Sequence, residues 1–100
     1  MKVKAKLKDG VTRVKVLAKH PMETGRRKDK FTGELIPPHY IRELSCQYQD
    51  KPVFVAYMGT AVSKDPYLSF SFNGGQSGDT IVLQWVDDKG ESLSKEAVIK

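Results

Sequence analysis

Cysteine occurs once in this chain of 100 residues, at Cys46. A lone cysteine rules out an intrachain disulfide and any cysteine-built metal framework. Histidine occurs only at His20 and His39, and no His, Cys or Met follows Met58. The late Cys/His/Met loop that a blue-copper site uses is therefore missing. No apolar run approaches the roughly 18 residues that cross a bilayer as a helix. The opening residues are lysine-rich and strand-like with no apolar stretch behind them. That reads as no signal peptide and, taken alone, as a cytoplasmic chain. No segment repeats its apolar residues with a helical period of about 3.6. A nucleophilic serine elbow, a phosphate loop followed by a helix and a paired-carboxylate motif are also wanting.

Two-residue alternation is what fills the chain. Val3, Ala5 and Leu7 alternate with Lys2, Lys4, Lys6 and Lys8. Asp9-Gly10 is a hairpin signal, and Val14, Val16 and Ala18 carry the return strand. Residues 20–38 hold three prolines, two glycines and many charges, and read as a long irregular connection. Pro37-Pro38 leads extended chain into a third strand over 39–48, with Tyr40, Leu44, Cys46 and Tyr48 on one face and Ile41 on the other. The apolar stretch Val53–Val62, broken at Gly59, suggests a central strand. Leu68, Phe70 and Phe72 mark a further strand, and NGGQSGD (73–79) is a glycine-rich turn. Ile81, Leu83 and Trp85 mark the next strand, Asp87 to Gly90 closes a hairpin, and Glu91–Lys100 returns. About seven antiparallel strands with regular turns predict an all-β, immunoglobulin-like β-sandwich, one domain over residues 1–100.

Seventeen Lys and Arg against twelve Asp and Glu give a net charge of +5, which favours acidic partners. The alternating lysines of the first strand read as a solvated face. Arg26, Arg27, Lys28 and Lys30 sit in the long connection and form the better partner candidate. With no recognition helix, zinc finger or RNP motif beside them, neither nucleic acid nor membrane is expected as a partner.

The candidate chemistry centres on HPMETG (20–25). His20-Pro21-Met22-Glu23 and His39-Tyr40-Ile41 resemble part of the superoxide reductase family, whose sandwich holds non-haem iron through four histidines and a cysteine. That resemblance implies an alternative reading as a metal redox domain lacking its full ligand set. Two histidines do not complete such a centre, so no metal and no cofactor are expected. His20 and His39 bracket the connection and are expected to hydrogen-bond its backbone. Cys46 shares a face with Leu44 and Tyr48, as a small buried thiol would. Met22, Phe31, Leu35 and Ile36 are apolar residues on a polar connection; they either fold back as a lid or form an apolar contact rimmed by Arg and Lys.

Four segments in order extend the comparison to nearly the whole chain: HPMETGRRKD (20–29), the G-x-x-I-P-x-H-Y-I pattern (33–41), DPYLSFSF (65–72) and GDTIVLQWVDDKGES (78–92). In these the chain resembles the SoxZ family of thiosulfate oxidation. The resemblance implies a non-catalytic subunit that binds SoxY, forming the SoxYZ heterodimer that carries covalently bound sulfur intermediates. In that family the carrier cysteine lies on a glycine-rich arm of SoxY. This chain ends EAVIK with no such arm, so Cys46 is not expected to carry sulfur. The resemblance also implies transient contacts with other Sox enzymes and a periplasmic location, reached by export together with SoxY. The partner-binding residues expected are His20, Met22, Glu23, Arg26, Arg27, Lys28, Phe31 and His39, with the face around Tyr67 as a second choice.

Overall fold

The hairpins form where the turn residues allow them. Strand β1 (Lys2–Lys8) turns through Asp9 and Gly10, both at positive φ, into β2 (Val11–Leu17). Left-handed backbone at both turn positions matches the right-handed twist of the two strands. Strand β3 (Ile41–Tyr48) turns through Gln49 and Asp50, again both at positive φ, into β4 (Lys51–Tyr57). Strands β5 (Tyr67–Asn73), β6 (Thr80–Asp87) and β7 (Ser92–Val98) complete the chain. The computed structural model describes residues 1–100.

The seven strands form two sheets, ordered β1-β2-β5 and β4-β3-β6-β7, and every pairing within them is antiparallel. This is the immunoglobulin-like sandwich expected from the alternation. Inward-facing Val14 and Val16 of one sheet and Leu44, Cys46, Ile81 and Leu83 of the other build the shared core. Fully burying a side chain of this size stabilises the fold by about 1.5–3 kcal/mol. Ile99, just past β7, is also buried and makes an isolated parallel bridge to Ala5. Leu7 N–H donates to Lys100 O at 2.9 Å and Lys100 N–H to Ala5 O at 3.0 Å, so the β1 and β7 sides of the sandwich are stitched together. The opposite side is held differently, by Phe54 of β4 and Phe70 of β5 stacked with ring centroids 4.0 Å apart.

Two expectations need correction. The apolar stretch 53–62 is not a central strand: β4 ends at Tyr57 and is the edge of its sheet. It reads as apolar throughout because its inner residues pack on the core at the β4–β5 side while Val55 and Tyr57 lie exposed on its outer face. In β3, Ile41 is buried with Leu44 and Cys46 rather than facing away from them. A pairing irregularity between Ile41 and Glu43 shifts the alternation by one residue, and simple period-2 counting misses such a bulge.

The glycine-rich turn is well tied. Gly74 N–H donates to Gly10 O, Thr12 Oγ1 donates to Gly74 O at 2.7 Å, and Gly78 N–H donates to Ile99 O. A Cβ on Gly75 would lie 2.4 Å from Thr12 Oγ1, and its φ is +86°. Only glycine fits where this turn closes over β2.

Candidate functional site

The connection from β2 to β3 leaves and returns at one end of the sandwich. At its base stand His20, buried, and His39, whose side chain is 21% exposed. Both meet the same buried group, the Asp87 carboxylate at the end of β6. His20 Nε2 lies 3.2 Å and His39 Nε2 2.8 Å from Asp87 Oδ2. The other oxygen, Oδ1, accepts the backbone N–H groups of Lys89 and Glu91 at 3.0 and 2.9 Å. The turn residues after Asp87 thus wrap their amides around its carboxylate, an arrangement typical of aspartate in turns. Every acceptor position on Asp87 is used, which is what a buried carboxylate requires. Burial pushes its carboxyl up, but the hydrogen bonds from His20, His39 and the two amides outweigh burial and hold it at about 2, below its usual 3.8.

The tautomer of His20 follows from its other nitrogen. Met22 N–H donates to His20 Nδ1 at 3.2 Å, so Nδ1 carries no proton and Nε2–H donates to Asp87. The polar atoms of His20, His39 and Asp87 lie within 4.8 Å of one another, close enough to suggest a metal site. The hydrogen bonds argue otherwise. A neutral imidazole that ligates a cation through Nε2 carries its proton on Nδ1, where Met22 N–H is already aimed. These three side chains form a proton-bonded node, and they fit neither the five-ligand iron centre nor a zinc site without dismantling the loop.

Met22 carries that loop's strain. It sits at φ +49°, its side chain is buried, and its sulfur accepts the Ile41 N–H at 3.3 Å. A non-glycine residue in left-handed backbone costs about 1–2 kcal/mol, offset here by burial and by the bond to His20. His20 N–H also donates to Asp65 Oδ1 and Asp65 N–H to His20 O, both at 3.0 Å, which fixes the turn before β5 to the same base. Trp85 packs edge-on to His20, with ring centroids 5.2 Å apart. Its indole N–H is the one buried side-chain polar group without a partner.

Beyond the base the connection runs out as a narrow hairpin. Glu23 and His39 exchange both backbone hydrogen bonds, and Lys28 bridges Leu35. Ile36 N–H donates to Arg27 O and Asp29 N–H to Glu34 O. At the tip, Asp29 Oδ1 accepts the N–H groups of Phe31 and Thr32 at 2.8 and 3.0 Å. Arg27 pairs with Glu23 through two bonds, of 2.6 and 3.2 Å. Phe31, on this braced tip, is 98% exposed, and Leu35 is 58% exposed.

The structure therefore divides the expected contact residues. His20 and Met22 are buried, so they shape the loop and offer no surface to a partner, contrary to expectation. His39 is mainly an Asp87 ligand by hydrogen bond. Glu23 and Arg27 are engaged with each other along the outgoing arm of the hairpin, while Arg26, Lys28 and Phe31 face solvent. The open choice for the apolar loop residues resolves both ways: Met22 folds into the core, and Phe31 and Leu35 project. Tyr67 lies at the same end as the hairpin base, across from Leu17 in the β2–β5 pairing. There it lines a groove of about 400 Å³ with Tyr57, Met58, Val62 and Leu68. The histidines were expected to bond backbone; His20 does, through Met22, but Asp87 as their common acceptor was missed. The sequence signal for Asp87 was only that of a turn residue after a strand, which carries no hint of a partner 48 and 67 residues away.

Cys46 is fully buried in β3, and burial raises its thiol to about 11. A thiol so held is a poor nucleophile at neutral pH.

What these features define is an immunoglobulin-like sandwich whose polar interior cluster is structural and whose most distinctive exposed element is a braced, aromatic-tipped hairpin. The family model described as "Sulphur oxidation protein SoxZ" matches residues 1–98. The chain belongs to the SoxZ family, and its role lies in sulfur oxidation. No curated protein matches it.

Proposed function

We propose that this chain is the docking subunit of a sulfur-carrier heterodimer, partnered by SoxY in the periplasm, and that the sulfur intermediate rides on the partner's cysteine. The observation that carries this reading is the contrast between its only thiol, sealed in the core with its ionisation pushed to about 11, and its projecting hairpin tip. A covalent carrier needs a thiolate within reach of substrate; a docking subunit needs a rigid exposed anchor. An exposed aromatic on a preorganised tip, rimmed by cations, has the makeup of an interface hot spot. The groove lined by Tyr57 and Tyr67, at the end from which the hairpin springs, adds a second apolar surface. Anionic cargo and acidic partners would be drawn to Arg26, Lys28 and Lys30.

Co-expression with a SoxY partner and purification through a tag on one chain tests the reading. A stable one-to-one complex is expected, with thiosulfate-derived mass on the partner's cysteine and none on Cys46. Sulfur found on Cys46, or the absence of a complex, would overturn it. Iodoacetamide at pH 8 should label Cys46 only after the chain is unfolded.

A further inference from the structure

The alternating lysines of β1 have neighbours that their own strand does not reveal. In the β1–β2 pairing Lys4 stands directly opposite Lys15, and Lys6 opposite Arg13. All four are exposed on the outer face of the sheet. Like charges placed opposite one another in a sheet repel and destabilise it. No carboxylate relieves them, because the one ion pair in the structure that involves a Lys or Arg joins Arg27 to Glu23. These four side chains, with Lys95 of β7 and Lys100, line a trough of about 690 Å³ between the sides of the two sheets, where Glu96 is the only Asp or Glu. Lys95 Nζ donates to the Met1 carbonyl at 2.8 Å and has no carboxylate partner.

The trough also has a backbone wall. Strand β7 pairs with β6 on one side alone, and Lys95, Ala97 and Val98 of this edge strand line the trough. Such an edge is a template for another extended chain. Lys4 and Lys6 lie two residues apart on one face, a repeat of roughly 6.5–7 Å along the strand. An extended peptide presents alternate side chains at the same repeat. We infer that the trough between β1 and β7 is a binding site for an extended acidic polypeptide segment, whose alternate carboxylates pair with Lys4, Lys6, Arg13, Lys15 and Lys95. Binding relieves the repulsion that the free protein carries. A small oxyanion would satisfy one or two of these cations and leave the rest opposed. The site is separate from the hairpin, so it stands whether or not the hairpin meets SoxY.

The test uses a fluorescent decapeptide of alternating Glu and Thr, read by anisotropy at low and physiological salt. Two triple variants remove equal charge: Lys4→Gln/Arg13→Gln/Lys15→Gln in the trough and Arg26→Gln/Lys28→Gln/Lys30→Gln on the hairpin. The trough variant should bind the peptide at least about tenfold more weakly, and the hairpin variant should bind nearly as the parent does. Thermal melting of the trough variant should be unchanged or higher, since a repulsive cluster is removed, so lost binding cannot be put down to misfolding. Equal loss in both variants would mean a diffuse charge effect and overturn the proposal. So would a melting temperature lowered by the trough substitutions, or a DNA duplex of matched charge that binds more tightly than the peptide and loses as much on the same substitutions.

Discussion

The base and the tip of the β2–β3 connection are built on opposite terms. At the base, four donors converge on one carboxylate, Met22 is held in left-handed backbone, and His20 is enclosed. At the tip the chain bonds only to itself, and its largest apolar side chain faces water. The difference shows how a small sandwich can hold an aromatic side chain out in solvent on a long, internally hydrogen-bonded loop. Order is generated where the loop joins the core and is passed outward by the bridges Glu23–His39 and Lys28–Leu35. Substitutions at the base should therefore act through stability, and those at the tip through binding.

The sharpest way to break this contrast is Asp87→Ala. It would leave two imidazole N–H groups and the amides of Lys89 and Glu91 facing a void. Removing the acceptor of such a buried network costs about 3–5 kcal/mol. In a chain of this size each kcal/mol lowers the melting temperature by about 4–8 °C. Urea unfolding followed by Trp85 fluorescence measures the loss. A change below about 1 kcal/mol would mean that the node does not hold the base together.

Acid should act through the same group more gradually. Asp87 ionises at about 2 in the folded chain and at its ordinary 3.8 when unfolded. Between these values the unfolded chain binds more protons, so stability rises with pH. The contribution is fully present above about pH 4 and is lost as pH falls towards 2. Urea midpoints taken across this window should drop for the parent and drop less for Asp87→Asn, which has no proton to gain there.

The sandwich was legible because its cause is local. Alternation in β1, β2, β5 and β6 reports which face each residue takes, and Asp9-Gly10 reports a turn through its own backbone preferences. Errors arose where the cause is distant. Nothing within β3 announces the bulge that turns Ile41 inward, and nothing within β4 says that it lies at an edge. The site was half legible for the same reason. Two histidines flanking a loop were conspicuous, but their acceptor comes from a hairpin turn far along the chain. The cationic trough likewise depends on strand register: Lys4 and Lys15 are ordinary surface residues until pairing sets them face to face.

Between base and tip, Gly25→Ala should have an intermediate effect. Gly25 has φ +84°, and an added Cβ would lie 3.2 Å from Pro38 Cδ. Left-handed backbone and a crowded proline ring together cost about 1–3 kcal/mol. The penalty falls on the hairpin stem, so the amide of Ile36, bonded to Arg27 O, should exchange faster with deuterium, while the core amides of β6 change less. Uniform acceleration throughout the chain would mean that stem and core unfold together.

Phe31→Ala should be nearly silent in the isolated protein. Its ring is 98% exposed, so truncation removes little packing, and the Phe31 N–H that Asp29 accepts is retained. A surface change of this kind stays within about 0.5 kcal/mol of the parent. Binding to a SoxY partner should respond differently, since an aromatic anchor seated in a partner pocket contributes about 2 kcal/mol or more. That is roughly a thirtyfold weaker complex with an unchanged melting curve. Isothermal titration beside thermal melting separates the two quantities. If the variant binds as tightly as the parent, the tip is ordered for some purpose other than that contact; if it melts early, the tip is tied to the core more closely than its exposure indicates.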